Sequence, residues 1–212
     1  RRLPGALGDD RRELSRIMTG EPVRVALLAD THGFLDGRVA EQVAGCDIAV
    51  HAGDVGGADI LFALHPREEV IAIRGNNDDA EHWAESEADI LSTLPSEATL
   101  ELPGGRLKVV HGDDGGTIAQ RHRRYREHYG DCRAVVYGHS HRQCVDQAAD
   151  PWLLNPGAAG RTRTYGGPGC MILHCARNGW RVESLRFEPR SYPTHRRRDA
   201  VRHREGKARR DD

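Results

Sequence analysis

At 212 residues the chain suits a single domain, able to bury roughly 70% of its unfolded surface without disulfides or a structural metal. Hydrophobic residues make up 38% and charged residues 30%, and no apolar run nears the about 20 residues that cross a bilayer, so a soluble, cytoplasmic protein is expected. The net charge of -1 hides an acidic body: residues 21–186 hold 17 basic and 24 acidic side chains, a poor surface for general nucleic-acid binding.

Residues 1–20 carry five basic and three acidic side chains and read as a flexible extension, with Met18 a candidate natural start. The domain is expected over residues 21–188. Its first apolar run, "VRVALLA", is short and β-branched enough for a buried strand, and it leads into "ADTHG", which supplies Asp30 and His32. A helix follows over residues 35–44. A second strand, "DIAVHAG", ends in "GDVGG" and supplies Asp54, with His51 three residues before it. After a helix over 59–64, the strand "EVIAI" leads into "RGNND", with Asn76 and Asn77.

Residues 79–89 are expected to be helical. The strand "LKVVH" then supplies His111, a helix spans 118–129, and "RAVVYG" opens onto "GHSH", with His139 and His141. From there short strands, "WLLN", "CMILHC" and "WRVESLRF", alternate with Gly and Pro. Residues 189–212 are densely charged and read as a mobile tail, whose basic character would give nucleic acid a weak hold at most. The five cysteines are odd in number and form no CxxC pair, so neither a disulfide framework nor a zinc ribbon is indicated.

The β/α alternation predicts an α/β protein, in which ligands gather at the carboxyl ends of strands. Each ligand alone has a plain structural explanation: an Asp capping a helix, an Asn in a turn, a satisfied core histidine. Jointly, five successive strand ends carry Asp30, His32, Asp54, Asn76, His111, His139 and His141. Imidazole, carboxylate and amide ligands without a thiolate suit Mn, Fe, Zn, Co or Ni, and seven are too many for one tetrahedral ion. Two metals sharing a carboxylate are expected. Other hydrolytic chemistries lack their residues, since GxSxG, GxxxxGK[ST] and HExxH are all missing.

In this order "DTH", "GD", "GNND", "VVHGD" and "GHSH" resemble the signature of calcineurin-like metallophosphoesterases, in particular the small YfcE-like phosphodiesterases. The resemblance implies a four-layer αββα sandwich. It implies that Asp30, His32 and His141 hold one metal, that Asn76, His111 and His139 hold the other, and that Asp54 bridges them. The cofactors would be two divalent ions, manganese first, with Ni, Fe, Zn, Co or Mg as alternatives.

Asp54, Asn76 and His139 would serve catalysis through the metals and a bridging hydroxide that attacks a phosphate ester, a diester before a monoester. "NPGAAGRTR" resembles a further family segment whose arginine lies near substrate, which makes Arg163 a candidate substrate contact. Asn77 is a second candidate; it stands where many larger relatives carry a histidine that serves the leaving group. The alternatives are a non-catalytic scaffold on the same fold, similar to the small retromer subunit, or a nuclease. A homo-oligomer is open.

Overall fold

The computed structural model describes residues 22–190; the expected extension over 1–20, Met18, and the tail from 191 onward lie outside the described residues. Among the described residues ten strands form two five-stranded sheets. The first contains β1 (Val23–Leu28), β2 (Ile48–His51), β3 (Glu69–Ala72), β9 (Gly169–Ala176) and β10 (Gly179–Arg186), in the order β10-β9-β1-β2-β3. The second contains β4 (Glu97–Leu102), β5 (Gly105–Val110), β6 (Ala134–Tyr137), β7 (Cys144–Asp146) and β8 (Trp152–Asn155), in the order β4-β5-β6-β8-β7.

Each sheet has three parallel strands, β1-β2-β3 and β5-β6-β8, flanked by antiparallel neighbours. Parallel strands need crossovers, and α1 (Gly37–Ala44), α2 (Ala58–Ala63) and α4 (Ile118–His128) supply those of β1–β2, β2–β3 and β5–β6. Helix α3 (Ala88–Thr93) links β3 to β4 of the other sheet, and β7 lies in the connection from β6 to β8. Asp36 caps α1 by accepting from Arg38 N, and Thr117 with Gln120 closes a capping box on α4.

Period-two alternation decides which layer each side chain joins. Val25 and Leu27 of β1 face inward and meet Leu107, Val109, Val136 and Leu154 of the other sheet in the core between them. Ala26 and Leu28 point the other way and pack under Val39 and Val43 of α1. On the far side Val135, Tyr137 and Leu153 receive Tyr125 of α4. The layers therefore run helix, sheet, sheet, helix, the αββα sandwich. A fully buried leucine such as Leu27 or Leu107 contributes heavily; truncating one to alanine costs about 2–5 kcal/mol in such cores.

Two expectations need correction. Residues 79–89 do not form a helix; they turn, pass through a 3-10 helix at Glu85–Glu87, and α3 begins only at Ala88. The cause is Asp79, whose Oδ1 accepts from Glu81 N at 2.9 Å and His82 N at 3.1 Å and so diverts the backbone into a turn. Strands β4 and β7 were not expected; β4 is an edge strand whose burial alternates with exposed glutamates, and β7 has three residues.

Candidate metal centre

All six parallel strands point their carboxyl ends to one edge of the sandwich, and five of the turns there bear the expected ligands. Asp30 and His32 follow β1, Asp54 follows β2, Asn76 follows β3, His111 follows β5, and His139 and His141 follow β6. Backbone hydrogen bonds continue past the strands and lock the turns together: Asp30 N donates to Gly53 O at 3.0 Å, His32 N to Asp54 O at 3.0 Å, and Gly138 N to His111 O at 2.9 Å. Gly75 is required by close approach, because a Cβ there would collide with Asp54 and sit 2.8 Å from His111 Cε1.

The structure brings all seven residues together in two groups. In the first, one ligand atom each from Asp30, His32, Asp54 and His141 lies within 4.8 Å of the others, enough to hold a metal ion. His32 Nε2 and His141 Nε2 are 3.0 Å apart. In the second, the Asn76 Oδ1 oxygen is 3.1 Å from His111 Nε2 and 2.9 Å from His139 Nδ1. Asp54 lies between the groups: its Oδ2 is 3.6 Å from His32 Nε2 and its Oδ1 is 3.3 Å from His111 Nε2.

Backbone carbonyls orient two of the rings. His111 Nδ1 donates to Ala52 O and His141 Nδ1 to Thr162 O, each at 2.9 Å, which turns each Nε2 toward the centre. Arg163 Nη2 donates to His141 Nε2 at 3.0 Å, so a positive group already sits against that nitrogen. Asp30 Oδ1 accepts from His139 N at 3.0 Å, while the buried Oδ2 has no protein partner. An orphaned, buried carboxylate oxygen grouped with the imidazoles of His32 and His141 fits a cation.

Titration behaviour separates the groups. Burial pushes the Asp30 carboxyl up to about 7, against the pull of His111. Burial also lowers His32 and takes His141 down to about 4, so both rings stay neutral, the form that binds metal. His139 is lowered too, by burial and then by its neighbour His111. His111 goes the other way: burial opposes its charge, but the hydrogen bond and charge of Asp54 outweigh that and raise it to about 9. Asp54 is held well below the usual carboxylate range, because His111 and Asn77 overcome the effect of its burial.

Asn77 faces Asp54 directly. Its backbone N donates to Asp54 Oδ1 at 2.9 Å and its Nδ2 to Oδ2 at 2.8 Å, a clasp that fixes the carboxylate between the two groups. His51 Nε2 is 2.8 Å from Thr31 Oγ1, whose hydroxyl donates to Val55 O at 2.9 Å. The imidazole thus braces the Asp54 turn from behind.

One residue escaped the sequence. Asp78 is buried and accepts four hydrogen bonds, from Val55 N at 3.0 Å and from Gly56 N, Gly75 N and Trp83 Nε1 at 2.9 Å. It ties the turn carrying Asp54 to the turn carrying Asn76. Within "GNNDD" only its place next to Asn77 hinted at this. A second signal is conformational: among the described residues, the non-glycine residues with positive φ are Asp30, His32, Asp54, His139, His141, Arg163 and Tyr165. All but Tyr165 are sequence-predicted site residues, and left-handed backbone costs an L-residue about 1–2 kcal/mol.

Residues 23–178 match the calcineurin-like phosphoesterase superfamily domain. A probable metallophosphoesterase of Methanocaldococcus jannaschii is 27% identical over 145 residues, covering 66% of this chain and 69% of its own length. A second from Methanothermobacter thermautotrophicus is 24% identical over 139 residues, covering 63% and 76%. Among solved structures, Vps29 from Entamoeba histolytica superposes with a TM-score of 0.58 at 17% identity, covering 78% of this chain and 99% of its own. An archaeal phosphodiesterase gives 0.57 at 22% identity, covering 76% and 99%.

Proposed function

The chain belongs to the calcineurin-like phosphoesterase superfamily, and we propose that it is a phosphodiesterase working with two divalent cations, manganese foremost. The observation that carries this is the position of Asp54, whose two oxygens face different histidines, Oδ2 toward His32 and Oδ1 toward His111. A carboxylate so placed can serve two cations at once.

Asp30, His32 and His141 would hold one ion and Asn76, His111 and His139 the other. When bound, the ions would supply Lewis acidity and acidify a water for attack on phosphorus. This chain's own groups prepare that chemistry. Neutral His32 and His141 can bind a cation without net loss of a proton, whereas Asp30 and His111 must each release one. Asn76 contributes an uncharged oxygen, which spares the centre a third carboxylate. Asn77 holds Asp54 in register. Arg163, hydrogen-bonded to His141 at the rim, is placed to meet a phosphate oxygen.

A diester brings one negative charge where a monoester brings up to two, and Arg163 is suited to the smaller demand. The solved archaeal phosphodiesterase of the same fold supports that choice. The competing proposal, a scaffold, draws on the likeness to Vps29. Hydrolysis of bis-p-nitrophenyl phosphate and p-nitrophenyl phosphate, measured across Mn, Mg, Ni, Zn and Fe, separates them. We expect metal-dependent turnover with the diester preferred. Metal binding without turnover of either ester favours the scaffold.

A further inference from the structure

The left-handed residue that the metal centre does not account for is Tyr165. The residue is 49% exposed although the guanidinium of Arg142 lies over its ring at 4.0 Å from the centroid. A ring covered on one side and still half exposed presents its other side to solvent. Both partners are tied closely to the centre. Arg142 directly follows His141, and Tyr165 stands two residues after Arg163, whose Nη2 is 3.0 Å from His141 Nε2. Two residues of extended chain span at most about 7 Å, so the stack flanks the place where a phosphate would meet Arg163.

The loop that carries Tyr165 is fastened at several points. Ala159 N donates to Ala29 O at 2.9 Å, and a parallel bridge pairs Ala158 with Ala29. Further along, the guanidinium of Arg161 lies 4.9 Å from the Phe34 ring centroid, and Thr162 O accepts from His141 Nδ1. The left-handed conformation at Arg163 and again at Tyr165, with φ of 51° and 43°, then turns both side chains out of that anchored stretch. An exposed tyrosine held by a cation on one side, at a backbone conformation unfavourable for its type, is costly for a residue with no role.

We propose that Tyr165, backed by Arg142, is a stacking platform for the base of a nucleotide-class substrate whose phosphate lies at the metal centre. It rests on the phosphoesterase proposal only for where the phosphate sits. Bases stack on aromatic rings irrespective of sequence, and a guanidinium behind the ring adds a cation–π contribution. The platform discriminates ester groups that carry a base from those that carry only a sugar or an alkyl chain.

Calorimetric titration of the full chain with Mn compares AMP with ribose 5-phosphate, which share phosphate and sugar and differ by the base. AMP is expected to bind about tenfold more tightly, the size of effect one stacked base gives. Tyr165→Gly removes the ring while suiting a positive φ, so folding is not put at risk, and it should bring the ratio to within about twofold. Tyr165→Phe should keep the ratio. Equal affinities in the unmodified chain, a ratio unchanged by Tyr165→Gly, or no binding of AMP overturns the platform. Those results leave the phosphoesterase proposal standing, because that falls only with the loss of metal-dependent ester hydrolysis.

Discussion

The two halves of the centre are built on different principles. Around Asp30, His32 and His141 the protein leaves one buried carboxylate oxygen, Asp30 Oδ2, without a partner, near two neutral imidazoles whose Nε2 atoms are 3.0 Å apart. Around Asn76, His111 and His139 the protein satisfies itself, since one amide oxygen lies within hydrogen-bonding distance of both rings and His111 pairs with Asp54. In the proposed two-cation site a cation would give that oxygen its missing partner in the first half, whereas the second half would give up internal bonds to accept one. On that proposal ordered filling is expected, with the Asp30 half first.

The harshest test removes what the halves share. Asp54→Ala should abolish both metal sites and lower kcat/KM at least about a thousandfold, read by elemental analysis and diester turnover. Two bound metals with full turnover would contradict the bridging role. Next, His141→Ala and His139→Ala should differ. The first should empty the tighter half, losing about a hundredfold or more in the strongest Mn affinity measured by titration, while the second should spare that affinity and weaken only the second binding event. Identical losses would erase the asymmetry.

Acid dependence sharpens the same contrast. Asp30 titrates near 7 and His111 near 9 in the metal-free protein, so cation binding must release protons from both. Protons compete with metal, so the sign is fixed: affinity rises with pH. The first event should strengthen up to about pH 7 and level off, whereas the second, which needs the proton of His111 as well, should go on strengthening at higher pH. Two parallel pH curves would count against the division. The mildest expected effect belongs to Asn77→Ala, which loosens the clasp on Asp54 and should weaken both events by about tenfold, the lower range for groups that orient ligands.

Much of this centre was legible in the sequence for a geometric reason. Parallel strands deliver their carboxyl ends to one edge, so a ligand after each apolar run predicts convergence without any knowledge of distances. What the pattern could not carry was the second layer of contacts. Asp78 looks like one more acid in a turn until Val55 N, Gly56 N, Gly75 N and Trp83 Nε1 are seen to meet on it. Asn77 stands where a substrate contact was expected, and the structure turns its amide onto Asp54.

Secondary structure failed where side chains compete with the backbone. Residues 79–89 have a composition that favours helix, yet Asp79 captures two backbone N–H groups and breaks the register. Strand β4, "EATLEL", was hidden because its alternating glutamates suit an edge, and the apolar runs marked only buried strands. Tyr165 was invisible for another reason: its backbone conformation and its arginine partner 23 positions earlier are properties of the folded loop.

The four bonds converging on Asp78 have a consequence for how the centre can change. Because one carboxylate clamps the turn bearing Asp54 and the turn bearing Asn76, a displacement of either is passed to the other through a single rigid joint. Adjusting the spacing of the two cation positions by altering one ligand at a time is therefore mechanically difficult. A substitution at Asp78 or Trp83, neither of them a candidate ligand, should instead shift both turns together, and libraries aimed at changing metal preference have their best starting point there.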